Sequence, residues 1–154
     1  MDSVEALPER VTSTDIATLA RRGATAVAAG RVAIGLTALA WPSVPSRPWV
    51  GAASDDLAAR VFGRALGARD VALGLGALSA LQRSPAEPGS AGAWVAAGAV
   101  SDALDVVATL ASWRDLPRAG RWLVAGSAAA SALVGAAAAL AISPDGTRTR
   151  PSGA

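Results

Sequence analysis

Six ionisable side chains lie within stretches of the sequence that are otherwise apolar, and they are the strongest candidates for chemistry in the chain. They are Arg31, Arg64, Arg69, Asp70, Asp102 and Asp105. An Arg or Asp at the centre of a membrane-spanning helix raises the free energy of insertion by about 2.5 to 3.5 kcal/mol, whereas a Leu, Ile, Val or Phe lowers it by only about 0.3 to 0.6 kcal/mol. We therefore expect the three positive and three negative groups to meet inside the protein, away from lipid.

Two interpretations of this charged set remain open. In the first, the six groups are mutual counter-ions that hold three helices in register, which the equal numbers of positive and negative charges favour. In the second, they line a site for an anion, a proton or a lipid headgroup, because ionisable residues inside a membrane are candidates for function. Asp102 and Asp105 are three residues apart and share one helix face in either case.

Other kinds of chemistry have little support in the composition. The sequence contains no His and no Cys, which removes imidazole acid–base catalysis, thiol chemistry and the common ligands of zinc and haem. We predict no catalytic residues, no metal site and no cofactor, and we favour a protein that is not an enzyme. All fourteen basic residues are Arg, scattered among apolar segments rather than gathered on a basic face, so nucleic acid is not a predicted partner.

The overall composition indicates a small membrane protein. Hydrophobic residues make up 52% of the 154 residues, charged residues make up 17%, and the mean hydropathy is +0.38. A soluble, Ala-rich helical bundle is the alternative, because Ala contributes much of the apolar count and drives membrane insertion only weakly.

Four stretches have the length and the apolar character of spanning helices, which need about 20 residues. They are residues 15–41, 55–82, 92–113 and 117–142. Pro42, Pro45 and Pro48 are expected to end the first helix and to form a short loop. Ser54, followed by two acidic residues, is expected to cap the start of the second helix.

The predicted fold is therefore all-α, a four-helix transmembrane bundle with short loops that occupies residues 15–142. Residues 1–14 form a polar N-terminal segment, and residues 143–154 form a flexible, disordered tail rich in Pro, Gly, Thr and Arg. A slight excess of Arg on the side that holds both termini predicts that these face the cytoplasm of a multi-pass protein of the cell membrane. Four of the five Trp residues fall at helix ends on the opposite side, as in interfacial belts.

Small residues accompany the charges at helical spacing. Gly63, Gly67 and Gly74 share a face with Asp70, small residues surround Arg31, and the last helix carries Ser127, Ser131, Gly135 and Ala139 in one row. Faces of this kind let helix backbones approach closely in membranes. We expect them to pack the helices together, and they also suit contact with a second copy of the chain or with another membrane protein.

Several of these residues form a pattern that resembles a known group of proteins. The pattern is Arg31-x-x-x-Gly35, Phe62-Gly63-Arg64, Arg69-Asp70-x-x-x-Gly74 and Asp102-x-x-Asp105. It resembles the small four-helix membrane proteins of unknown function from actinobacteria, which are loosely DoxX-like in size and layout, and it covers about residues 20–142. The resemblance implies an integral membrane protein without an assigned reaction, and the DoxX-like analogy implies an accessory subunit near redox enzymes. Without Cys or His, a direct electron-carrying role is not expected.

These observations predict a small integral membrane protein with a structural or accessory role, in which a buried Arg/Asp network joins the first three helices. The alternative is a transporter or channel-like carrier of a small solute, an anion or a proton through the charged layer. The lipid bilayer is the expected partner of the protein in both cases.

Overall fold

The computed structural model describes residues 13–83 and 90–142. Within these two ranges the chain is helical and contains no β-strand, which confirms the all-α prediction. The five α-helices are α1 (Ser13–Ala40), α2 (Ser43–Val50), α3 (Leu57–Gln82), α4 (Ser90–Ala111) and α5 (Arg118–Ile142), and a 3-10 turn (Gly51–Asp55) joins α2 to α3. The predicted tail and all but the last two residues of the predicted polar N-terminal segment lie outside the described residues.

Helix α2 corrects the predicted count of four helices. The proline-rich stretch expected to be a loop folds into an eight-residue helix. Pro42 and Pro45 lie at its start, where backbone N–H groups have no partner within the helix and the fixed φ of proline suits helical geometry. Gly51, at φ 67°, ends α2 in a conformation that favours glycine. The expected cap at Ser54 is also wrong. Ser54 lies within the 3-10 turn, and α3 begins at Leu57.

The four long helices begin and end within two residues of the predicted bounds. Among the described residues, three segments are long and apolar enough to cross a membrane, namely Asp15–Ala40, Ala91–Ala111 and Arg118–Ile142. Helix α3 is not among them, because its three arginines and one aspartate lower its hydropathy. Length and composition therefore support three spans rather than the predicted four.

Helices α1 and α3 lie antiparallel and in direct backbone contact. A Cβ atom added to Gly67 would lie 2.8 Å from the Gly35 carbonyl oxygen, and one added to Gly74 would lie 2.7 Å from the Ala28 carbonyl oxygen. The two small-residue faces therefore allow an approach that larger side chains would prevent. Helices α4 and α5 form the second close pair, and α1 and α3 contact α5 and α4, respectively.

Two arginines bond reciprocally at the ends of the antiparallel pair. Arg21, near the start of α1, donates to the Leu81 carbonyl at the end of α3, and Arg64, near the start of α3, donates to the Leu39 carbonyl at the end of α1. The last carbonyls of a helix lack partners within the helix and carry partial negative charge, so both contacts are favourable.

The bundle has small and polar residues inside and large apolar residues outside. Its buried residues include several alanines, Arg31, Asp102, Ser101 and Thr109. The exposed large side chains include Leu19, Ile34, Phe62, Leu75, Val100, Leu104, Leu110, Leu123, Leu133 and Leu140. Monomeric proteins in water rarely expose so many large apolar side chains. This distribution is suited to a hydrocarbon environment, in agreement with the three apolar helices.

We expect Gly67→Ala to lower the free energy of unfolding by about 1 to 3 kcal/mol, because the new methyl group overpacks the contact between α1 and α3. Unfolding of the detergent-solubilised protein by SDS would measure the change. Gly126→Ala is the matched control, since a Cβ atom there meets nothing within 4 Å. Equal losses in the two variants would contradict the close approach at Gly67.

Candidate functional site

Arg31 is the centre of a buried group of charges. Its side chain is 9% exposed, and Nη1 donates to Oδ1 of Asp70 on α3 at 2.9 Å. Nη2 donates to the Gly98 carbonyl on α4 at 2.6 Å and lies 2.5 Å from Oδ2 of Asp102 on the same helix. Gly98 leaves room for this contact, because a Cβ atom there would lie 3.3 Å from Arg31 Nε. One guanidinium therefore joins α1, α3 and α4.

Arg69 forms the second half of the group. Its Nη1 and Nη2 donate to the two carboxylate oxygens of Asp105 at 3.1 and 2.9 Å, a bidentate arrangement. Its Nε and Nη2 also donate to Oδ1 of Asp70, at 3.2 and 3.1 Å. That single oxygen of Asp70 is therefore shared by both arginines. We call Arg31, Arg69, Asp70, Asp102 and Asp105 the charged network.

Helix geometry accounts for much of this arrangement. Asp102 and Asp105 are one turn apart on α4 and face α1 and α3 together. Arg69 and Asp70 are neighbours in sequence, and side chains at such positions leave a helix about 100° apart. The long side chain of Arg69 nevertheless bends back to Asp70 while reaching Asp105, so both residues of this pair take part.

Arg64 is the one residue of the predicted set that the structure does not bring into the network. Its side chain is exposed, and its Nε donates to the Leu39 carbonyl at 3.2 Å. The physical reason is its height along α3: five residues before Arg69, it lies beside the C-terminal end of α1, where unpaired carbonyls attract a cation.

Because Arg64 lies outside the charged network, the charges within the network are not balanced. The network contains three carboxylates and two guanidiniums, so with every group ionised it carries one net negative charge. The balance of three against three, which favoured a purely structural interpretation, is therefore absent. Among the described residues, Oδ2 of Asp102 is a buried atom that has an ionic contact with Arg31 but no aligned hydrogen bond.

Two clefts meet at the network. The inner cleft, of about 280 Å³, lies between α1, α4 and α5 and is lined by Arg31, Asp70, Asp102 and Asp105 together with apolar residues and serines. The outer cleft, of about 470 Å³, extends from Arg69, Asp70 and Asp105 to the prolines and Trp49 of α2. Both clefts are lined by Ile34, Asp70, Asp105, Val124 and Ser127. They therefore form a continuous groove from the network to α2.

The outer cleft was not predicted from the sequence. It depends on α2, whose prolines were interpreted as a loop. The positions of Pro42 and Pro45 were the available signal, because prolines in the first turn are compatible with the start of a helix, whereas Pro48 lies inside α2. A helix across the end of the bundle is what provides one wall of this groove.

The aromatic residues near α5 form a separate cluster. The rings of Trp113 and Trp122 meet edge to face with centroids 4.8 Å apart, and the guanidinium of Arg121 lies 4.8 Å from the centroid of Trp113. Arg121 Nη1 also donates to the Trp113 carbonyl at 2.6 Å. This cluster fixes the turn between α4 and α5. It does not line the groove.

An exposed ion pair on the α2 side contrasts with the buried network. Arg47 Nη2 donates to Oδ2 of Asp55 at 2.5 Å, the same separation as between Arg31 and Asp102, but the two side chains are 62% and 57% exposed. The hydrogen bond from Arg47, followed by one from Ser43, lowers the pKa of Asp55. Water screens such a pair, so it is the natural control for the buried one.

The groove can hold a ligand of mixed character, with an apolar body and a polar group that meets the carboxylates. Within the described ranges, no group of three or more His, Cys, Asp or Glu residues is arranged to hold a metal ion. Comparisons with protein-family models, with curated proteins and with solved structures find no match to this chain. The residues and their geometry are therefore the basis for a functional proposal.

We expect Arg47→Gln to raise the pKa of Asp55 towards its ordinary value, because the substitution removes the largest cause of the lowered pKa. A carboxylate whose pKa is lowered in the folded state stabilises the protein above its ordinary pKa, and that contribution is lost as the pH falls through the lowered value. A carbon-detected NMR titration of Asp55 would measure the change. Arg22→Gln, at the opposite end of the bundle, should leave the titration unaltered, and an unchanged Asp55 pKa in Arg47→Gln would refute the assignment.

Proposed function

We propose that this chain is an integral protein of the cell membrane in which α1, α3, α4 and α5 form a four-helix bundle across the bilayer. The observation that carries the proposal is the inverted distribution of residues, with Arg31 and Asp102 buried and the large apolar side chains directed outward. Three of the four helices are apolar enough to span on their own composition. Helix α2 lies across one end of this bundle.

Helix α3 requires a separate argument, because its charges oppose insertion. Arg69 and Asp70 both have partners on other helices, which lowers the cost of placing them within the membrane in the folded bundle. Arg60 and Arg64 lie in the part of α3 nearest α2, where long side chains can extend to the membrane surface. The close contact with α1 also supports a spanning α3, since α1 is itself apolar enough to span.

The function proposed for this bundle is structural or accessory. The charged network connects three helices through paired groups, which is the expected arrangement when buried charges determine helix register. An accessory role beside redox enzymes, as the DoxX-like resemblance implies, belongs to the same proposal. Of the predicted row on α5, Gly135 and Ala139 are buried within the bundle, so contact with another membrane protein or with a second copy would use exposed small residues such as Ala130, Ala136 and Ala137.

A second candidate is a carrier of a small solute or a proton. The observation that favours it is the groove that opens onto the network, together with the excess of one carboxylate over the guanidiniums. A net negative charge favours a cationic solute or a proton and disfavours an anion. Asp102→Asn separates the two candidates: loss of membrane accumulation indicates a structural role, whereas a stable protein without activity in a flux assay indicates transport.

The four-span arrangement predicts that the two ends of α3 lie on opposite sides of the membrane. Because the sequence contains no Cys, Ala53→Cys and Gln82→Cys each introduce a unique and exposed thiol. With both termini in the cytoplasm, an impermeant maleimide should label Ala53→Cys in intact cells and label Gln82→Cys only after permeabilisation. Labelling of both positions from one side would show that α3 does not cross. Release of the protein by alkaline carbonate would refute membrane insertion altogether.

The structural role of the network predicts a large effect of Arg31→Gln. Removing one partner of a buried ion pair leaves an uncompensated charge, and we expect a loss of about 3 to 5 kcal/mol in the free energy of unfolding. Unfolding by SDS in mixed micelles would measure this loss.

Arg47→Gln is the matched control, because it breaks an exposed pair of the same separation and should cost at most about 1 kcal/mol. In the double variant Arg31→Gln/Asp102→Asn, part of the loss should be recovered, since a carboxylate without its partner is also removed. Similar losses for Arg31→Gln and Arg47→Gln would argue against a network that holds the helices together.

A further inference from the structure

The charges that line the groove do not cancel. Between them, the inner and outer clefts are lined by Arg31 and Arg69 and by Asp70, Asp102 and Asp105, and by no other charged residue of the part of the chain that the structure describes. Asp102 is 8% exposed, and its Oδ2 lacks an aligned hydrogen bond although it lies next to Arg31. A buried and incompletely paired carboxylate is costly unless a positive group or a proton approaches it.

The remaining walls of the groove are mostly apolar and include three serines, Ser46, Ser127 and Ser131. Prolines 42, 45 and 48 and the ring of Trp49 line the α2 end, and Leu66, Leu123 and Val124 line the sides. The two clefts, of about 280 and 470 Å³, are each comparable with pockets that hold small organic molecules, which span about 300 to 1,000 Å³.

We infer that the groove binds a hydrophobic organic cation of single positive charge, such as a quaternary ammonium or phosphonium compound. The cationic centre lies at the carboxylates of the inner cleft, and the apolar body lies in the outer cleft under α2. This inference rests on the membrane insertion proposed above, since such compounds dissolve in bilayers and reach a groove between helices from the lipid.

Other ligand classes fit the groove less well. An anion would meet the net negative charge of the network. A bare metal ion would need a set of ligands that the described residues do not provide, and it would leave the apolar outer cleft unused. A neutral apolar molecule would leave the excess carboxylate unpaired. A hydrophobic cation satisfies both parts of the groove at once.

The test uses two probes of nearly the same size and shape and opposite charge, tetraphenylphosphonium and tetraphenylborate. The protein is reconstituted into nanodiscs of phosphatidylcholine, and binding of each probe is measured by equilibrium dialysis against empty nanodiscs. We expect saturable binding of tetraphenylphosphonium at one site per chain and none of tetraphenylborate. Equal saturable binding of both probes, or the absence of saturable binding of the cation, would overturn the inference.

Two variants locate the site. Asp102→Asn removes the excess charge without changing the shape of the side chain, and we expect the affinity for tetraphenylphosphonium to fall by at least about tenfold. Asp115→Asn is its control, because it makes the same change at an exposed position outside the groove. Equal affinities of the Asp102 variant and the wild-type protein would overturn the inference.

A steric variant keeps the test decisive if Asp102→Asn does not fold. Gly30 lines the inner cleft, and a Cβ atom there meets nothing within 4 Å, so Gly30→Leu places bulk at the groove while leaving every charge intact. Gly126→Leu is the control, with equally open surroundings away from the groove. We expect binding to be lost only in Gly30→Leu, and unchanged binding there would overturn the inference.

The failures of the two proposals can be distinguished. A protein that resists carbonate extraction and binds no tetraphenylphosphonium overturns the ligand inference alone. A protein that is washed from the membrane overturns the proposed function and the ligand inference together.

Discussion

The guanidinium of Arg31 is the interaction on which the arrangement of the helices depends. It contacts a carboxylate on α3 and both a carboxylate and a backbone carbonyl on α4, so one side chain determines how three helices face each other. A flexible Lys could supply the charge but not the planar set of donors that reaches several acceptors at once. The small residues around Arg31 on α1, together with Gly98 on α4, follow from the same requirement, because only close helices can share one guanidinium.

Helix α3 shows how a segment of poor spanning character is compatible with a membrane protein. Its charges leave it outside the set of helices that are apolar enough to span, and yet its backbone packs directly against α1 through Gly35 and Gly67. The network residues of α3 face helices rather than lipid. Stable insertion of α3 therefore requires that its partner helices are in place, which a uniformly apolar helix does not require.

The long helices and most of the network could be predicted from the sequence, whereas the position of Arg64 and the existence of α2 could not. Charges within long apolar segments must find partners, which is sufficient to select Arg31, Asp70, Asp102 and Asp105. The sequence of a helix does not specify how far it is shifted along its axis relative to a neighbouring helix. Arg64 therefore could not be distinguished from Arg69 until α1 was placed beside α3. Similarly, proline is common both at the first turn of a helix and just after the end of one. For Pro42 and Pro45, only the contacts of α2 with the bundle show that they start a helix.

The position of Arg64 also bears on function. Had it joined the network, six groups would have formed a neutral set, and a structural role would have explained every charge. With Arg64 bonded to Leu39, one carboxylate is in excess beside a groove that extends to α2. A protein that needed only to hold its helices together could satisfy them with neutral pairs or with apolar packing, which is often as stable as a buried ion pair. An excess carboxylate buried beside a cavity is the kind of group that a cationic ligand or a proton would neutralise.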